Sequence, residues 1–140
     1  MVRTDPIADF ITIIRNGVMA RKEWVLTENS RILREIAKIL KREGYIADWE
    51  VVPDERRHAM KGGTRLKIHL KYVDPERRKS PLQGIRRVSK PGRRIYAGAD
   101  EIPSTLNGLG ITILTTSKGL KTDREARREH IGGEIMIQVW

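Results

Sequence analysis

Apolar residues recur at Ile7, Phe10, Ile11, Ile14 and Val18, the i, i+3, i+4, i+7 and i+11 positions of one helical face. This pattern predicts a helix from about Pro6 to Lys22, with Asp5 as its N-cap and proline at the first helical position. Gly17 interrupts it, at a cost of about 1 kcal/mol relative to alanine. A second helix, Arg31 to Glu43, places Ile32, Leu33, Ile36, Ile39 and Leu40 on one side. Asn29 or Ser30 caps it and Gly44 ends it. A short extended piece, Trp24–Thr27, separates the two. The period then falls to two. A strand is expected at about Tyr45–Val52 and a polar loop from Pro53 to Gly63. In Thr64–Val73, Leu66, Ile68, Leu70 and Tyr72 alternate with Arg65, Lys67, His69 and Lys71. That is a half-buried strand with a basic outer face.

Beyond Val73 the texture changes. Pro75–Pro81 reads as a linker. Ile95–Ala97 and Ile111–Thr115 read as short strands, and Pro91-Gly92 marks a turn. Thr122 and Glu125 form a T-x-x-E capping box that opens a helix to about Glu129. Gly132-Gly133 breaks the chain before a last strand, Glu134–Trp140, with Ile135, Ile137 and Val139 directed inward. The fold class is therefore α+β, in two small domains: residues 1–75, an α-β-α-β-β unit, and residues 76–140, mostly β with one short helix.

Composition narrows the function. The 140 residues include 28 Lys and Arg against 18 Asp and Glu, a net charge of +10, and no cysteine. Disulfides, thiol nucleophiles, Cys-ligated zinc and iron–sulfur clusters are excluded. No apolar run approaches the ~20 residues that span a bilayer. The N-terminus, with Asp5 and Asp9, lacks the apolar core of a signal peptide. The expectation is a soluble intracellular protein with no membrane partner and a polyanionic one, usually nucleic acid. The surplus leans toward the second domain, where 13 basic and 7 acidic residues leave +6, against 15 and 11, or +4, in the first. From Arg77 to Arg94 there are eight basic residues and no acid.

Catalysis finds little support. His58, His69 and His130 have no second ligand at metal spacing, and neither a nucleophile elbow nor a P-loop is present. Asp5 and Asp9 share a helical face and could hold Mg²⁺ as in a nuclease, but capping and solvation account for them more simply. The expectation is a protein that is not an enzyme, with no cofactor and no metal.

Binding finds more. Lys90, Arg93 and Arg94 flank the Pro91-Gly92 turn, and the arginine fork matches phosphate geometry. Tyr96 follows directly, placed either to stack on a base or ribose or to face the core. Thr115, Thr116 and Ser117, then Lys118 and Gly119, follow a buried strand. Small hydroxyls enter the shallow minor groove of an A-form helix and bond to 2′-hydroxyls and base edges. Lys118 would add a phosphate contact, and Gly119 permits a left-handed turn. The alternative is an ordinary Ser/Thr turn ahead of a helix cap. A DNA-associated architectural protein is the other binding class, but no recognition helix is evident.

The stretch from Gly108 to Arg127, with Gly132-Gly133-Glu134 and Trp140, resembles the bacterial small-subunit ribosomal protein S-eight family. So do Thr4-Asp-Pro-Ile-Ala-Asp9, Ile14-Arg-Asn16 and Arg87-Val-Ser-Lys-Pro-Gly-Arg-Arg-Ile-Tyr96. The likeness spans nearly the whole chain in the family's order. It implies a cytoplasmic structural constituent of the small ribosomal subunit, acting in translation. It also implies direct binding to a helix in the central domain of small-subunit (16S) ribosomal RNA, organisation of that RNA's assembly, and neighbouring ribosomal proteins as further partners. It permits feedback on the protein's own messenger RNA. By the resemblance, Thr115, Thr116, Ser117, Lys118 and Gly119 form the loop that enters the minor groove, and Tyr96 and Glu134 lie beside it. Glu134 would order that loop or accept a hydrogen bond from a base, and Thr4, Asp5, Arg15 and Asn16 would be the N-terminal contacts. The family usually has Ser where Thr115 stands and Arg where Ile13 stands; the first change stiffens χ1, the second removes a charge.

Overall fold

In a computed structural model describing residues 5–74, 76 and 79–140, with Asn107 through its backbone only, helix α1 spans Pro6–Met19. The Asp5 carboxylate accepts from Ala8 N at 3.3 Å, Pro6 sits at the first turn, and Ile7, Phe10, Ile11 and Ile14 are buried. The helix stops short of the predicted Lys22. Arg21 turns into the left-handed region at φ 57°, and Lys22 N donates back to Gly17 O. Strand β1 (Trp24–Glu28) follows, then α2 (Arg31–Arg42), β2 (Ile46–Pro53) and β3 (Thr64–Leu70). Of the two N-cap candidates, Ser30 accepts from Leu33 N at 3.3 Å. Asn29 instead ties the helix to β3, donating to Thr64 Oγ1 at 2.8 Å and accepting from Arg34 at 2.6 Å.

The strands form an antiparallel sheet in the order β1-β3-β2. Val25 pairs with Ile68 and Thr27 with Leu66, so these four share the face on which α1 and α2 pack. Phe10, Ile14, Leu33, Ile36, Leu40, Leu66 and Ile68 fill the space between, each almost wholly buried. Gly17, a weak point by helix propensity, is explained here. A Cβ at Gly17 would lie 2.5 Å from Val25 Cγ1 and 3.1 Å from Leu70 Cδ1, so its absence lets α1 approach the sheet. Strand β3 ends at Leu70 rather than Val73. Tyr72 lies beyond it, and its hydroxyl donates to Lys22 O at 2.6 Å.

The chain divides by its internal packing into Met1–Leu82 and Gln83–Trp140. The second unit contains β4 (Ile85–Arg87), β5 (Tyr96–Ala97), β6 (Ile111–Thr116), β7 (Gly119–Thr122), α3 (Asp123–Arg128) and β8 (Gly133–Val139). Their order is β4-β8-β6-β7, all antiparallel, with β5 also paired to β8. Strands β4 and β5 take successive stretches of one edge of β8, and β6 takes the other. The short strands β4 and β7 fall where the sequence pattern predicts no element. The capping box of α3 forms both bonds, Glu125 N to Thr122 Oγ1 and Thr122 N to Glu125 Oε1.

Strand β8 departs from simple alternation. Met136 and Gln138 are buried along with Ile135, Ile137 and Val139. Ile113 pairs with Ile137 but Leu114 with Ile135, so Met136 is an extra residue, a bulge. A strand flanked on both edges and covered on both faces reads as a continuous apolar run, which explains Met136 within the alternation. Leu114 and Ile135 join Ile102 and Ala126 in one cluster, placing α3 and the 98–110 connection over that face.

At the start of β8 the strands approach too closely for side chains. A Cβ on Gly132 would meet Ala97 O at 2.2 Å, and one on Gly133 would meet Thr115 O at 2.1 Å. Gly98, with open space around it, serves as the control. We expect Gly133→Ala to lower stability by about 1–3 kcal/mol through forced backbone displacement. Gly98→Ala should leave the thermal unfolding midpoint nearly unchanged. Equal midpoints for the two variants would contradict the close-approach account.

Candidate nucleic-acid interface

The segment Thr115–Gly119 is the tip of the β6–β7 hairpin. Thr116 pairs with Gly119 across a two-residue turn of Ser117 and Lys118. Neither turn residue has positive φ; Gly119 does, at 97°, and a Cβ there would meet nothing within 4 Å. The glycine is required by backbone conformation, because a turn of negative-φ residues needs a following residue of positive φ to rejoin the strand. The hydroxyls divide in function. Thr116 is buried; its Oγ1 donates to Gly119 O at 2.8 Å and accepts from Lys118 N at 3.1 Å. It holds the turn. Thr115, Ser117 and Lys118 are exposed.

Strand register aligns the rest. Tyr96 of β5 pairs with Glu134 of β8, which pairs in turn with Thr115 of β6. Directly paired residues share a face, so the three stand in one row, the outer two roughly 10 Å apart at two strand spacings. The adjacent row, Ile95, Ile135 and Leu114, belongs to the core. Of the two readings of Tyr96, core-facing and outward, the second is observed: the residue is 69% exposed. Glu134, its side chain only 14% exposed, accepts from Arg94 Nη1 at 3.0 Å, which draws the guanidinium into the same row.

The basic turn beside this row is built from the backbone. Lys90 and Arg93 exchange both N–H···O bonds at 2.9 Å across Pro91-Gly92. Below them Ser89, fully buried, accepts from Ile95 N at 2.9 Å and donates to Ile95 O at 3.1 Å, closing the loop at its neck. Ser89 N bonds to Ile135 O, and Ile95 O accepts from Ile135 N, so both ends of the loop hang on β8. Lys90, Arg93 and Arg94 are left exposed. Ser89 is a positioning residue that the sequence pattern passed over. Its only signal is a small hydroxyl between basic residues just before a Pro-Gly turn.

The structure thus brings Tyr96, Glu134, Arg94 and Thr115 onto one sheet face, with the hairpin tip and the basic turn on opposite edges of β8. The N-terminal candidates lie in the first unit. Asp5 caps α1, and Arg15 and Asn16 are exposed on that helix; Thr4 lies outside the described residues. Thr115 is exposed, so its additional methyl displaces no other group of the chain. Ile13 is half-buried on α1.

The comparisons with known proteins agree over the full length. The family described as Ribosomal protein S8 matches residues 5–140. A protein of an Exiguobacterium species, named small ribosomal subunit protein uS8, is 51% identical over 140 residues, all of both chains. Proteins of the same name are 50% identical in Persephonella marina, over 98% of each chain, and 48% identical in Enterococcus faecalis, over all of both. With the family matching residues 5–140 and identity near one half over the matched length, the chain belongs to the ribosomal protein S8 family.

Proposed function

We propose that the chain binds a helix of small-subunit ribosomal RNA directly, through the face of its C-terminal unit centred on Tyr96, Glu134 and Thr115. As a member of its family it is a non-enzymatic structural component of the small ribosomal subunit, associated with ribosomal RNA and other ribosomal proteins in the cytoplasm. The observation that carries the finer reading is the register, which lines up an exposed aromatic, a carboxylate-held arginine and a hydroxyl in one row beside a rigid hairpin.

Each part has a task in such an interface. Ser117 and Thr115 present donors and acceptors that suit 2′-hydroxyls and base edges in a wide, shallow minor groove. Tyr96 offers a ring for stacking on an unpaired base or ribose. Lys90, Arg93 and Lys118 neutralise phosphates on the two sides of the row. Glu134 repels phosphate, and its role is to hold Arg94 and so fix where that fork points. In this reading the RNA is a helix of the central domain, the N-terminal contacts are Thr4, Asp5, Arg15 and Asn16, and binding organises the surrounding RNA during assembly. A similar fold in the protein's own messenger would compete for the same face.

Neutralising phosphates with Lys90, Arg93 and Lys118 should give log affinity against log salt a slope of about −3, at roughly −0.9 per phosphate. A flat plot in filter-binding titrations of the central-domain helix would contradict it. Ser117→Ala should weaken binding by about 0.5–1.5 kcal/mol, one hydrogen bond, with the unfolding midpoint unchanged. Thr116→Val should instead lower that midpoint, because its hydroxyl bonds lie within the turn. Equal effects of the two substitutions on stability would remove the distinction between presenting and supporting hydroxyls.

A further inference from the structure

The outer face of the N-terminal sheet carries a groove of about 620 Å³ that no residue of the interface above lines. Trp24 and Leu26 of β1 bound one side, Val52 and Pro53 of β2 the other, and Arg65 and Lys67 of the central strand run between them. Register puts Trp24, Leu26, Val52, Arg65 and Lys67 on one face, with Leu26 opposite Lys67 and Val52 opposite Arg65, and Pro53 borders it at the strand end. Trp24 is 45% exposed, an indole the core does not use. Lys67 Nζ lies 4.5 Å from its ring centroid, a cation held against the π face.

Charges of both signs border the groove. Asp54 on the rim is bound by Arg56, whose Nε and Nη2 donate to its carboxylate at 2.9 and 2.7 Å. These bonds hold the Asp54 carboxyl down at about 2, so it stays ionised and neutralised by that guanidinium. Arg56 also reaches Glu28 at 3.6 Å. Lys67 forms no ion pair among the described residues. Arg65 donates to Leu26 O at 3.4 Å, and its buried Nε has no partner among them. Glu55 also lies on the rim, and the register sets Glu28 opposite Arg65 and Glu50, which bonds to His69 at 2.7 Å, opposite Lys67. What the groove offers is an exposed indole and apolar strand residues with two cations, Lys67 and Arg65, running beside them.

We propose that this groove takes an unpaired nucleotide of RNA, its base stacked on Trp24 and its phosphate on Lys67 and Arg65. A nucleotide supplies a planar ring and a fixed anion one sugar apart, which matches that spacing of indole and cations. An acidic polypeptide supplies the anion without the ring, and the chain's net charge of +10 favours the polyanion. The inference rests on the reading of this chain as RNA-binding but uses a separate set of residues in the other unit.

The test is titration of the full chain with a short unstructured oligoadenylate, following tryptophan emission and the anisotropy of the labelled RNA. Saturable quenching is expected. Trp24→Leu should abolish the quenching and weaken binding at least about fivefold, the lower end for one stacked base. Lys67→Gln should weaken binding and flatten its salt dependence, while Lys38→Gln, on the exposed side of α2 and outside both surfaces, should change neither. Circular dichroism checks that the two groove variants keep their fold; both replace side chains outside the core. No binding by the wild-type chain, or wild-type affinity in natively folded Trp24→Leu, would overturn the proposal. So would Trp24-dependent binding of an oligoglutamate peptide where oligoadenylate fails. If the groove variants have no effect while Ser117→Ala still weakens binding to the folded ribosomal RNA helix, the groove assignment falls and the C-terminal interface stands. The opposite pair of results removes the interface and leaves the groove.

Discussion

The C-terminal unit depends on the close backbone approach at the start of β8. Gly132 and Gly133 let Ala97 O and Thr115 O come within 2.2 and 2.1 Å of where a Cβ would stand. Three strands can therefore pair at one level, with Glu134 between Tyr96 and Thr115. A side chain at either glycine would have to push one neighbour away, and the row of exposed groups would lose its alignment. The bulge at Met136 then resets the register, so that the remainder of β8 buries both of its faces while its first residues keep one face open to solvent.

Positioning around this point is done by uncharged groups and backbone. Ser89 closes the neck of the basic turn through two bonds to Ile95, and Thr116 closes the hairpin through two bonds of its own. Both side chains are buried, so water competes little for those bonds and their loss leaves polar groups unsatisfied. The Arg94–Glu134 pair lies nearer the surface, where an ion pair adds little to stability. Its consequence is geometric: it restricts the directions in which the fork can point. The net positive charge accounts for attraction to a polyanion over distance, whereas the fixed hydroxyls and the ring decide what fits at contact.

The two units solve burial differently. In the N-terminal unit one face of a three-stranded sheet is covered by two helices, and the other stays open with Trp24, Arg65 and Lys67 upon it. In the C-terminal unit a single six-residue helix and a long connection cover the sheet, and the central strand carries most of the order. Gly17 and Gly133 have the same physical function in the two settings. Each gives up intrinsic stability of its own element so that a neighbour can come close.

Periodicity in the sequence was sufficient for the long elements: the α1 and α2 stripes, the alternation of β3 and the capping box of α3. Each is written within a dozen or so residues, where local pattern and burial agree. The α+β class and the family motifs followed from the same residues. The short strands β4 and β7 were not legible, because three or four residues carry too little pattern, and they exist through pairing with strands distant in sequence. Burial of Met136 and Gln138 was hidden for the same reason. The sequence alone supplied the residue types of the interface, namely Tyr96, Arg94, Glu134 and the hydroxyl run. Tertiary structure decided which of them face outward: it turned Tyr96 to solvent and spent the Thr116 hydroxyl inside the turn. It also tied Arg94 to Glu134, 40 positions away along the chain. Alignment of three strands depends on which backbones can touch, and that is set by side chains that are absent, at Gly132 and Gly133.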